Sequence, residues 1–366
     1  MSVSVDWDFA KSVASRFADD DTFASSDPTG AMAAQMVRLT SQAEQLVEAE
    51  TGLVSASGPA RGKTIDRLEW VDVNLSSFQR LLRPLLEKFG SVDTAEPTNV
   101  VTRSLSAATT VVGPKVAGAE LGAMLGWMSG RVLGQYDLLV IEDERPEDQD
   151  WVYYVGPNVM KLEQRYGFPP EEFRLWLAAH ECTHRAQFTG VPWLRPYFLS
   201  LVESLLDDVD TDGARLVEAA KSIIADRKGN SETVKTGGLA ALLATPEQKE
   251  TMDKMTGLMS LLEGHGDVIM SRATEGLIPS QARFARIMSN RRTNSSFLAK
   301  FVQRISGLEG KLAQYQEGED FIAAIEKAGG QELFDQVWTS PEALPTIEEI
   351  RSPELWITRM GAPLRS

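Results

Sequence analysis

The sequence predicts a predominantly helical α+β fold in which a pair of metal-binding helices stands beside a small antiparallel sheet. Three observations predict it. Apolar residues recur at helical spacing through much of the 366-residue chain. Two short runs rich in Val, Ile and Tyr stand close together before its midpoint. Finally, LWLAAHECTHRAQF (Leu175 to Phe188) carries His180, Glu181 and His184 in the order H-E-x-x-H.

Composition narrows the function classes first. With 52 acidic against 37 basic residues the formal charge is −15, which argues against nucleic acid or an anionic membrane as partner. The single cysteine, Cys182, excludes internal disulfides and fits a reducing, cytoplasmic setting; inside a helical motif it reads as a small buried filler. The N-terminal MSVSVDWDFAKSVASRF has neither the basic start nor the apolar run of a signal peptide. Val116 to Leu133 is the most apolar stretch, but Glu120 and Arg131 interrupt it, so no membrane span is expected. Its Ala117, Gly118, Ala119, Gly122, Ala123 and Gly126 suit a helix packed closely on a neighbour instead.

Taken in order, Asp19 to Thr29 is an acidic, Ser-rich loop. Met32, Met36, Leu39, Ala43 and Leu46 mark a helix that ends near Gly52, and Ser55 to Gly62 reads as a loop. Val71, Leu75, Phe78, Leu82 and Phe89 mark the next helix, with a bend expected at Pro84. Tyr136 to Asp143 and Trp151 to Met160, around the polar turn Glu144 to Asp150, read as an antiparallel strand pair. Trp193 to Asp208 reads as a helix, followed by an acidic cluster (Asp207, Asp208, Asp210, Asp212) without the spacing of a calcium loop. Lys228 to Gly238 reads as a connection that could cover a cleft, and Pro246 to Glu250 opens another helix. The last third is helical, with Leu298, Phe301, Val302, Ile305, Leu308, Leu312 and Tyr315 in one stripe. Ser340-Pro341 and Ser352-Pro353 look like helix starts.

The H-E-x-x-H helix carries the chemistry. Residues four apart project from nearly one face, so His180 and His184 can reach one cation while Glu181 addresses a water beside it. The chain has three histidines in all, and two fall inside this motif. A catalytic zinc takes three protein ligands and keeps one position open. The extension H-E-x-x-H-x-x-G-x-x-H would supply the third, but Gln187 and Gly190 occupy its later positions. Leu258 to Ala273, LMSLLEGHGDVIMSRA, offers Glu263 as ligand, with Asp267 four residues on as the acid that orients a ligand imidazole. His265 lies about 200° round the helix from Glu263. It is open as an alternative third ligand, a transition-state donor or an ordinary histidine. Gly264 and Gly266 weaken the case for a regular helix there. Arg283, Arg286, Arg291 and Arg292 read as a solvated face, or else as a recognition site for a substrate carboxylate.

HECTHRAQF, VPWLRPYF and LLEGHGDVIM, with GRVLGQYDLLV, YVGPNV and LPTIEEIRSPELWITR, resemble the zincin-like metallopeptidases of an actinobacterial candidate-hydrolase type. Some members of that type are labelled as associated with deazaflavin-coenzyme biosynthesis. The resemblance covers the chain from about Gly113 onward. It implies a zincin-like metal site at His180 and His184, with Glu181 as catalytic acid-base. The family's second motif usually reads Glu-Gly-His-Ala-Asp; here Gly266 replaces the Ala, which adds backbone freedom. Residues 1–112 are then expected as an N-terminal helical region and 113–366 as the zincin-like metallohydrolase region, unless both form one continuous domain.

The expected activity is zinc-dependent hydrolysis of an amide bond in a peptide or small amide. His180, His184 and Glu263 hold zinc, and Glu181 is the general base. An oxyanion donor is also needed, with His265, Tyr153 and Tyr154 as candidates. By analogy with zincins, an extended peptide could add to an exposed strand edge. Two rivals remain: a catalytically silent zincin-fold binding protein that keeps the metal site, and a structural zinc, which would favour four ligands and cysteine. Oligomeric state is open.

Overall fold

The structure is a computed structural model; it describes residues 5–18, 28–90, 100–138, 150–207, 246–292 and 315–361. The expected loops at 19–27, 144–149 and 228–238, the acidic cluster 208–212, strand residues 139–143 and most of the stripe from Leu298 lie outside these residues. By internal contacts the chain divides into one unit of residues 1–42 and 60–178 and another of 43–59 and 179–366.

The periodic stripes become helices. In the first unit these are α1 (Trp7–Ala18), α2 (Pro28–Thr51, which continues into the second unit), α3 (Arg67–Gly90), α4 (Val100–Ser129) and α5 (Gly156–Tyr166). Met32, Met36 and Leu39 of α2 and Trp70, Val71, Leu75 and Phe78 of α3 are buried, as their spacing requires. A reciprocal box starts α3: Asp66 Oδ1 accepts from the Glu69 amide at 2.8 Å, and Glu69 Oε2 accepts from the Asp66 amide at 2.9 Å. The small residues of α4 do what their composition implied. Gly118, Gly122 and Gly126 lie against the backbone of Asp6, Ala10 and Ala14, where a Cβ would collide. Among the described residues no helix is long and apolar enough to cross a membrane.

The sheet corrects the expectation of a purely antiparallel pair. It has three strands in the order β1 (Arg61–Ile65), β3 (Trp151–Val155), β2 (Gly134–Tyr136). β2 pairs antiparallel with β3, the sense expected, but it shares only Tyr136, opposite Val152, with the expected strand 136–143; β1 pairs parallel with β3, Lys63 opposite Tyr153. β1 includes Arg61 and Gly62, which had read as the end of a loop. Its sequence RGKTI hides it, since the apolar content of a buried strand is missing and Gly62 instead lets the strand approach Thr40 and Met36. β3 also stops earlier than expected, because Gly156-Pro157 begins α5 with Pro in the first turn. Tyr154 is fully buried, its hydroxyl 2.8 Å from Thr40 Oγ1.

In the second unit the elements are α7 (Leu194–Asp207), α8 (Pro246–Ala273), α9 (Gln281–Arg292), α10 (Tyr315–Gly329), α11 (Gln331–Phe334), α12 (Ile347–Arg351) and α13 (Pro353–Arg359). Two 3₁₀ turns, Asp335–Trp338 and Pro341–Ala343, follow α11. α6 (Pro170–Gly190) begins in the first unit and ends in this one. α8 is an unbroken helix through Gly264 and Gly266. The reason for Gly264 is proximity: a Cβ there would lie 2.5 Å from the carbonyl carbon of Gly318 on α10. Thr346 and Glu349 cap α12 reciprocally, and Arg359 of α13 bonds both oxygens of Glu349 at 2.6 and 3.0 Å. Trp356, fully buried, donates to the Ala343 carbonyl at 2.7 Å.

Candidate metal centre

The second half of α6 holds the motif rigidly. Ala178 and Ala179 are fully buried, and Thr183 turns its hydroxyl back to the Ala179 carbonyl at 2.8 Å. Arg185, only 2% exposed, fixes one side of the helix by donating to Glu44 Oε1 and to the Gly58 carbonyl, each at 2.7 Å. Cys182 is buried and in no disulfide. Burial, with the Glu44 carboxylate, pushes its pKa far up against the opposing pull of Arg185, so the thiol is inert filler.

On the opposite side, one ligand atom each from His180, His184 and Glu263 lie within 4.8 Å of one another. The two imidazoles meet edge to face with centroids 4.6 Å apart. Around His180 stand two more carboxylates: Glu181 Oε1 is 3.6 Å from its Nδ1 and Asp267 Oδ1 is 3.7 Å from its Nε2. Burial by itself would lower the pKa of His180; Glu181, then Asp267 and Glu263, outweigh it and hold the ring above its ordinary value. Gly266 faces the same spot. A Cβ at this position would lie 3.2 Å from His184 Cε1, 3.5 Å from His184 Nε2 and 3.6 Å from His180 Nε2. In a regular helix the residue supplies space rather than backbone freedom.

His265 is not among the three converging donors. It is 1% exposed, lies against Phe334 and Trp338 with centroids 5.6 and 5.1 Å away, and has Nδ1 2.9 Å from Gln187 Nε2. Burial above all, then His184 and Arg272, lowers its pKa to about 3, so the ring is neutral. Gln187, seen in the sequence only as a residue interrupting a longer motif, is fully buried and also reaches His184 Nδ1 at 3.0 Å. Its signal was available: it stands three residues after His184, on the same face of α6. Arg283 and Arg286 lie on the exposed face of α9.

Residues 5–357 match the family of zincin-like metallopeptidases. The chain belongs to that family. Among solved structures, the chain is similar to a protein from Chloroflexus aurantiacus described as a candidate hydrolase with a novel fold. The two are 30% identical over 98% of this chain and 99% of that one, with a TM-score of 0.71. A comparison with curated proteins gives no significant match. Family membership implies a metal, typically zinc, and a zinc-dependent hydrolase. The donor set fits that ion: two imidazole nitrogens and one carboxylate oxygen could hold a zinc as its three protein ligands.

Proposed function

We propose that the chain is a zinc-dependent peptidase or amide hydrolase in which His180, His184 and Glu263 hold the metal and Glu181 is the general base. The observation that carries this reading is the convergence of those three side chains, from two separate helices, with the carboxylate of Glu181 beside them. Zinc, when bound, supplies Lewis acidity and lowers the pKa of a water in the open position towards ~7. Glu181 takes the proton of the attacking water on a carboxylate oxygen and delivers it to the departing amine nitrogen. Glu181 is 6% exposed, so its carboxylate stands largely out of bulk solvent. Asp267, beside His180 Nε2, adds negative charge that favours a cation at the two imidazoles.

Glu181→Gln tests the reading. Zinc content should be unchanged, while cleavage of a peptide library should fall by ~10²–10⁴, the usual range for a lost general base. A zinc-loaded Gln variant with full activity refutes the assigned base. Zinc-loaded wild type that cleaves no peptide or amide refutes the hydrolase and leaves a metal-dependent binding protein.

A further inference from the structure

The Gln187 amide can face only one way. Its Nε2 lies 3.0 Å from the Leu262 carbonyl oxygen, an obligate acceptor, so the nitrogen and not the oxygen of the amide must point there. The same nitrogen is 2.9 Å from His265 Nδ1, which therefore accepts, leaving the proton of that neutral ring on Nε2. The amide oxygen is then fixed on His184 Nδ1 at 3.0 Å. An amide oxygen cannot donate, so His184 Nδ1 must carry a hydrogen. For a neutral His184, the lone pair is consequently on Nε2, on the side of the ring that Gly266 leaves open.

We propose that Gln187 is a positioning residue that presets His184 in the tautomer able to coordinate a metal, with Leu262 and His265 of α8 holding the amide in the required orientation. One carbonyl on the second helix thereby decides the protonation pattern of a ring on the first. Every member of the arrangement is buried or half-buried. It rests on the reading of His184 as a ligand only for its consequence; the tautomer itself follows from hydrogen-bond geometry.

The test separates the two. Nitrogen-15 NMR of the metal-free, histidine-labelled full chain at neutral pH reads each ring nitrogen as protonated or bare, with signals assigned by replacing each histidine in turn. His184 should show a single Nδ1–H form and His265 a single Nε2–H form. The opposite assignment of either ring, or an averaged pair of forms, overturns the proposal without any further variant. In Gln187→Met, of similar size but unable to bond, His184 should average between tautomers and zinc affinity should fall ~10–100-fold in chelator competition. An unchanged His184 spectrum in that variant overturns the proposal, as does unchanged zinc affinity. Wild type that shows the stated tautomers yet binds no zinc leaves the positioning intact and refutes the metal site instead.

Discussion

Replacing Gly264 with Ala tests whether α8 is held by backbone contact with α10. The new Cβ would lie 2.5 Å from Gly318 C, 2.7 Å from Gly318 Cα and 2.8 Å from Glu319 N. Ordinary contact begins at 3.4 Å, so the deficit is 3.4 − 2.5, about 0.9 Å. Neither side can yield by turning a rotamer, because the atoms opposed are main chain. The helices must part. Overpacking of this kind costs ~1–3 kcal/mol, and the gain in helix propensity from Gly to Ala returns ~1 kcal/mol. With rigid backbone on both sides we expect the upper part of the range, a net loss of ~1–2 kcal/mol. The displacement also moves Glu263, the adjacent residue, away from the imidazoles, so zinc affinity should fall on the order of tenfold. Denaturant unfolding and chelator competition read the two effects. Gly30→Ala is the control, since nothing lies within 4 Å of that position in α2 and only propensity changes. A Gly264→Ala protein as stable as the control, with wild-type zinc affinity, would refute the account of how α8 is placed.

Two other perturbations separate space from charge. Gly266→Ala asks His184 to move by a few tenths of an ångström; it should gain up to ~1 kcal/mol in stability and keep zinc within a few-fold, whereas Gly266→Val should abolish zinc binding. Calorimetric zinc titration of both variants checks this, and a Val variant that binds normally would place the donors elsewhere. Burial would raise the Glu349 carboxyl, but Arg359 and the Thr346 amide hold it below its ordinary value near 4.5. A lowered folded pKa contributes stability that is present above the unfolded value and is lost as pH falls through the folded one. Unfolding midpoints measured from pH 7 to 3 should therefore drop less steeply at the acid end in Glu349→Gln than in wild type.

How much was legible depended on whether the signal was local. The spacing of His180 and His184, and of Glu263 and Asp267, is a property of single helices and can be read from the chain directly. That the two helices bring three donors together could only be expected from the chemistry of zinc. β1 was missed because its pairing is parallel to a strand some ninety residues later and its side chains are mostly polar, so no nearby turn or apolar run announces it. Gly264 and Gly266 read as weak points of a helix because propensity treats glycine as a loss; the structure uses both for close approach, one to α10 and one to the imidazoles. Gln187 is a harder case. Its position was visible, but the direction of its amide depends on a carbonyl in a distant segment.

The carboxylates of Glu181, Glu263 and Asp267 stand around the imidazoles of His180 and His184. Three acidic side chains beside two imidazoles make a divalent cation the natural counterweight of the cluster. A metal held by His180, His184 and Glu263 would tie α6 to α8 through these side chains, so variants are to be compared at matched metal content.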